Sequence, residues 1–195
     1  MRYSNSTAIG LFALCIAATS SALASNSPDP SGLPACSSAG NDAECRLPVR
    51  DGDFSSGTLG GWHREGLPSV GSDASGQAYA VLPVGSAISQ AVGIPTGNSP
   101  DDVTYAIRFR VLGESAEGSV YVRVALSDDT GHRQVELGGT SVSVARGEWK
   151  VGELFVAGKP FGGAPHVHIT VGNESVSGTQ VQVDDVYVVE SVNAG

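Results

Sequence analysis

Glycoside hydrolysis needs two carboxylates flanking the scissile bond, and Glu114, Glu117, Glu136, Glu148, Glu153 and Glu174 are the residues from which such a pair would be drawn. All but Glu136 and Glu153 sit in turn-like context, where solvated loop charges explain them. His166 and His168, two apart, share one side of an extended strand and could chelate a transition metal. With no third ligand nearby in sequence, they read as solvent-side strand residues. No G-x-S-x-G elbow, H-E-x-x-H, G-x-G-x-x-G or phosphate-binding loop is present. The chain therefore reads as non-catalytic, and what its side chains offer is binding. Arg108 and Arg110 alternate with apolar residues on one predicted strand, Tyr121 and Arg123 on a second, His166 and His168 on a third. Outward basic and aromatic groups on adjacent strands suit a polar glycan, acidic ones included. Aromatic residues make up only 6% of the chain, which argues against a flat polysaccharide platform and for a cleft.

The elements that must position these groups are strands. Val103, Tyr105, Ile107, Phe109 and Val111 alternate with polar or small residues. Val120 to Leu126 and Val167 to Val171 do the same, the period-two pattern of a strand with one buried face. Val142 and Val144, then Val151, Leu154 and Val156, and finally Val181 to Val189 add further strands. Turn signals separate them, among them Gly113 to Gly118, Gly138-Gly139, Gly162-Gly163 and Gly172-Asn173. No window carries helical periodicity, and the many β-branched valines favour pleated surfaces. Eight to eleven short strands predict an all-β antiparallel sandwich, a jelly roll.

The ends of the chain bound its setting. Arg2, the apolar run Leu11 to Ala18 and the small-residue stretch Ala22-Leu23-Ala24 read as a secretory signal over residues 1–24. The apolar run is too short to span a bilayer, which takes about 20 residues. The expected product is secreted or periplasmic, without a membrane span. Lys and Arg number 11 against 20 Asp and Glu, a net charge of −9, so nucleic acid is excluded as a partner. Residues 25–45 read as a flexible leader rich in Ser, Pro, Gly and Ala, closed by a disulfide between Cys36 and Cys45, and residues 46–195 as the sandwich. A loop this small restricts the unfolded chain by about 2.7 kcal/mol. Asn173-Glu174-Ser175 is a formal N-glycosylation acceptor.

Five stretches carry a resemblance. In order, "DGDFSSGTLGGW", "SGQAYAVL", "SAISQAVGIPTGNSPDDVTYAIRFRV", "GEWKVGELFVAG" and "VQVDDVYVVES" resemble the jelly-roll carbohydrate-binding modules of the family 4, 9 and 22 group, within the galactose-binding-domain-like superfamily. The resemblance covers about Leu47 to Ser191. The outward groups Arg108, Arg110, Tyr121, Arg123 and His168 are the expected lining of a glycan cleft, and the resemblance adds that His168 stands where such modules place a polar contact. It also implies framework roles for Trp62 and Trp149. In the family the first and last strands are often clipped by structural calcium; the ligands here would be the Asp53 carbonyl, Ser75 or Asp73, the Ala78 carbonyl and the Asp184 carboxylate. Ser55 stands where the family offers a glutamate, which removes one anionic ligand. If Asp51 or Asp53 approached Asp184 within about 4 Å, repulsion near 4 kcal/mol at an effective dielectric of about 20 would need an offsetting positive group. Asp184 and Asp185 are adjacent, so a regular strand would send one to the buried side. The expected partner is a glycan, with a separate secreted enzyme or envelope protein beside it; the competing reading is a structural or protein-interaction sandwich without a sugar site.

Overall fold

The computed structural model describes residues 32–38, 44–95, 103–114, 118–128, 134–158, 165–176 and 178–192. The predicted signal peptide, residues 1–24, lies outside them, as does the Gly162-Gly163 turn.

Among the described residues eleven strands form, all paired antiparallel: β1 (Cys45–Arg46), β2 (His63–Glu65), β3 (Ser69–Ser72), β4 (Ala78–Leu82), β5 (Ala87–Gly93), β6 (Val103–Gly113), β7 (Gly118–Ser127), β8 (Gln134–Val144), β9 (Lys150–Gly158), β10 (His166–Asn173) and β11 (Val181–Val192). One sheet runs β3-β4-β11-β6-β9, with β1 on β11; the other runs β2-β5-β10-β7-β8. Facing sheets bury the alternating apolar set between them, as the sequence pattern requires. Tyr105, Ile107, Phe109 and Val111 from β6 meet Val120, Val122, Val124 and Leu126 from β7 and Val167, Ile169 and Val171 from β10 in one core. This is the predicted antiparallel β-sandwich.

Two local devices differ from the sequence reading. Gly138-Gly139 is not a turn: both residues lie inside β8, where the register against β7 slips between Val124 and Ala125. A bulge absorbs the extra residue and bends the strand. The leader is also not wholly outside the fold. Cys36 and Cys45 are bonded, with 4.8 Å between Cα atoms, and both are buried in the core. Cys36 N–H donates to the Arg46 carbonyl and Cys45 pairs with Glu190 of β11, so the folded unit reaches back beyond Arg46.

The opening turn closes the sandwich as a wedge. Phe54 is fully buried with φ of 52°, a conformation bulky side chains rarely adopt. Its ring stacks at 5.7 Å on Trp62, whose Nε1 donates to the Asp51 carbonyl. Trp62 is thus framework. Gln90, pointing inward from β5, holds the same turn by donating to the Arg50 and Gly61 carbonyls and accepting from Arg50 N–H.

Candidate ligand-binding groove

Because Val120, Val122 and Val124 point inward, Tyr121, Arg123 and Ala125 must point out, and on β10 the same parity sends His168 and Thr170 out. Register sets their neighbours. Arg123 lies opposite Thr170, Tyr121 opposite Gly172, and His168 between Ala125 and Ala91. The strip between them is floored with small side chains: Ser89, Ala91, Ala125, Thr170 and Gly172. Tyr121 lies so close over Gly172 that no Cβ would fit there. Glycine at that position is what lets the ring lie down on the sheet.

Glu65 on the outer strand β2 and Gln134 and Glu136 on the opposite outer strand β8 bound this strip. Together with Tyr121, Arg123, His168 and Thr170 they enclose a concavity of about 470 Å³, within the ordinary range of small-ligand sites. The exposed Arg123 guanidinium stands 4.9 Å from the centre of the Tyr121 ring. Burial, reinforced by the neighbouring His63, pushes His168 below its ordinary value. At neutral pH its imidazole is uncharged and offers one donor and one acceptor. The groove thus combines an aromatic ring, donors, and two carboxylates, a set that can meet sugar hydroxyls from several sides.

The sequence does not nominate Glu65, Gln134, Glu136 or Thr170 as glycan contacts, although Glu136 stands among its candidate acids. A three-residue strand such as β2 is too short to show a period. The bulge in β8 breaks the alternation that would have marked Glu136 as facing the same way as Arg123.

The five nominated glycan residues are not all brought together. Tyr121, Arg123 and His168 share this groove, but Arg108 and Arg110 point outward from β6, on the other sheet. Both arginines are also tied up. Arg108 Nε lies 2.5 Å from Glu153 on β9. Arg110 reaches Asp184 through Nη2 and Asp185 through Nε, each at 2.6 Å, and its guanidinium stands 5.2 Å from the Trp149 ring centre. Trp149 in turn meets Tyr79 edge-on at 6.0 Å.

Adjacent aspartates can both face Arg110 because β11 is irregular there. Its register against β6 shifts between Asp184 and Tyr187, and Asp185 takes φ of 50°. Asp184 is completely buried, and it accepts from its neighbour Asp185 N–H as well as from Arg110. The positive group that faces the Asp184-Asp185 pair is Arg110. This arrangement does not suit calcium. Asp184 is occupied by a guanidinium and by Gln77 Nε2 at 3.4 Å, and Asp73 accepts from Ser75 and Gln77 around its own turn. A cation placed against Asp184 would face a fixed positive charge.

Asn173 is not a glycan acceptor in the folded protein. It is buried, donates through Nδ2 to the Leu82 and Thr179 carbonyls, and accepts from Ser175 N–H.

No protein-family model matches the chain, and no curated protein does. Solved structures do match. The module TmCBM61, determined with β-1,4-galactotriose, superposes with a TM-score of 0.55 at 21% identity, covering 73% of this chain and 97% of that one. What the two chains share is the antiparallel β-sandwich fold. A family 16 carbohydrate-binding module aligns with a TM-score of 0.50 at 15% identity over 72% of this chain and 97% of its own. A cyclase from Fischerella sp. TAU aligns as well, with a TM-score of 0.56 at 12% identity over 76% and 98%. At these identities the likeness is one of fold, and the same sandwich carries both binding and catalysis.

Proposed function

We propose that the protein is an exported, non-catalytic glycan-binding module, of the general kind of the family 4, 9 and 22 modules, whose site is the groove on the five-stranded sheet. The observation that carries this is the convergence of Tyr121, Arg123 and His168, nominated from sequence, with Glu65, Gln134, Glu136 and Thr170 around one concavity. The Cys36–Cys45 disulfide supports an oxidising compartment. Among the described residues no helix is long and apolar enough to cross a membrane.

The charges of the groove favour an uncharged saccharide over an acidic one. Arg108 and Arg110 are on the other sheet and ion-paired, while Glu65 and Glu136 border the groove and would repel a uronate. The spacing of the two groove acids supports binding without glycoside hydrolysis. Glu65 and Glu136 stand on the two outer strands of a five-stranded sheet. Four inter-strand steps of about 4.8 Å separate their backbones by about 19 Å. Glycosidase carboxylates lie about 5–9.5 Å apart. Titration of uncharged β-linked oligosaccharides against the wild type and Tyr121→Ala tests the proposal: saturable binding that the variant loses supports it, and affinity equal in the two rejects the groove.

A second reading, an interaction module without a sugar site, draws on one observation. Val151 and Phe155, 73% and 60% exposed, stand on β9 at the edge of the six-stranded sheet. An apolar edge strand is a template for pairing with another chain.

A further inference from the structure

Glu190 sits near the C-terminal end of the last strand with its side chain inside the sandwich and fully buried. Its neighbours across the sheet are Cys45 on one side and Tyr105 on the other. Among the described residues neither of its carboxylate oxygens has a hydrogen-bond partner, and the buried Tyr105 hydroxyl has none either. Burial pushes the Glu190 carboxyl up, and burial together with Glu190 pushes the Tyr105 hydroxyl up. Buried polar atoms are seldom left unpaired, and each exception calls for an explanation. Here an acid and two sulfurs meet in one spot. A carboxylate oxygen of Glu190 and the two Sγ atoms of Cys36 and Cys45 all lie within 4.8 Å of one another.

We propose that these three residues form a redox-gated zinc site: closed while the disulfide stands, and able to hold Zn²⁺ through two thiolates and the Glu190 carboxylate once it is reduced. Tetrahedral zinc at about 2.3 Å from sulfur and 2.0–2.2 Å from oxygen spaces its ligand atoms roughly 3.5–3.8 Å apart. The sulfurs, 2.12 Å apart when bonded, would have to part, and the carboxylate to close in by about an ångström. Side-chain rotation supplies this, because the backbone holds both cysteines without the bond. Cys36 N–H donates to the Arg46 carbonyl, Arg46 N–H donates to the Pro34 carbonyl, and Cys45 is paired to Glu190 in the sheet.

The chemistry balances. A dithiol donates two electrons and two protons, becomes a disulfide itself, and leaves Cys36 and Cys45 as thiols. Zinc then displaces both thiol protons and the carboxyl proton. Access comes from outside: a concavity of about 520 Å³ bordered by Ala35, Cys36, Ser37 and Arg46 opens beside the pair.

Cobalt(II) is the probe, since thiolate ligation gives it charge-transfer absorption and tetrahedral visible bands. The purified protein, oxidised or reduced anaerobically with a phosphine that is then removed, is titrated with Co²⁺ and back-titrated with Zn²⁺. The reduced protein should show the thiolate–cobalt spectrum, with zinc abolishing it, and the oxidised protein should not. Glu190→Gln and Glu190→Asp should each weaken cobalt binding by about tenfold or more, while near-ultraviolet circular dichroism shows them folded when oxidised. Should both variants lose that signal, wild type decides alone: cobalt must bind reduced chain with its tertiary signal retained or restored. No spectrum in the reduced wild type, or an affinity unchanged by replacing Glu190, overturns the proposal.

Discussion

Replacing Arg110 by Met removes the charge that faces Asp184 and Asp185 while keeping most of the apolar stem against Trp149. Asp184 is fully buried, and its carboxylate would keep only the Asp185 N–H and a long contact from Gln77. Breaking a buried ion pair by removing one partner costs about 3–5 kcal/mol. The Arg110 side chain is 34% exposed, so solvent screens part of the interaction and the lower end applies, about 3 kcal/mol. At about 2–4 °C per kcal/mol for a domain of this size, the melting temperature should fall by about 6–12 °C. The loss depends on pH. Burial already pushes Asp184 up from its ordinary value against the pull of the Asp185 N–H and of Arg110. Without Arg110 the carboxyl is raised further, so the folded variant holds a proton that the unfolded chain releases, and its deficit shrinks as pH falls. Differential scanning calorimetry at pH 5 and pH 8 reads both effects. In the Arg110→Met background, Asp184→Asn should recover stability at pH 8 by discharging the orphaned acid. A variant melting within 2 °C of wild type at pH 8, or a double variant no better than Arg110→Met, would refute the reasoning.

Other outcomes follow from the same structure. Calcium and EDTA should give the same wild-type melting temperature, because Arg110 holds the acid that a calcium clip would use; a calcium-dependent rise of several degrees would contradict this. Glu190 is raised from its ordinary 4.5 by burial, so its contribution is full below that value and is lost as pH rises through the folded-state pKa. Urea titrations should show wild-type stability falling as pH rises above about 4.5 and the corresponding slope reduced in Glu190→Gln. Asn173→Ala strands the Leu82 and Thr179 carbonyls and the Ser175 N–H, which should cost about 2–4 kcal/mol in denaturant unfolding.

The strands were legible because apolar residues alternate so regularly in β6, β7 and β10 that one face of each must be buried. Phe54 and Trp62 were legible for the same reason: large apolar groups in a polar, glycine-rich turn have nowhere to go but the core. Which outward groups share a sheet was not. Arg108 and Arg123 carry the same local signature, and only pairings between strands distant in sequence, β6 with β11 and β7 with β10, send them to different faces. The Asp184-Asp185 pair was legible in part: one of the two is fully buried and partnered, as expected, but the bulge that lets both meet Arg110 leaves little trace in residue types. The leader misled by composition: its few apolar atoms, Cys36 among them, are placed in the core by the disulfide rather than by a hydrophobic run.

Central to the account is that one groove on the five-stranded sheet binds sugar. A glycan array probed with wild type, Tyr121→Ala, Arg123→Ala and Phe155→Ala tests it most directly. The account predicts binding to an uncharged glycan class that both groove variants lose and Phe155→Ala, on the other sheet, retains. A blank array for a cooperatively melting wild type, or binding that survives in both groove variants, would contradict it.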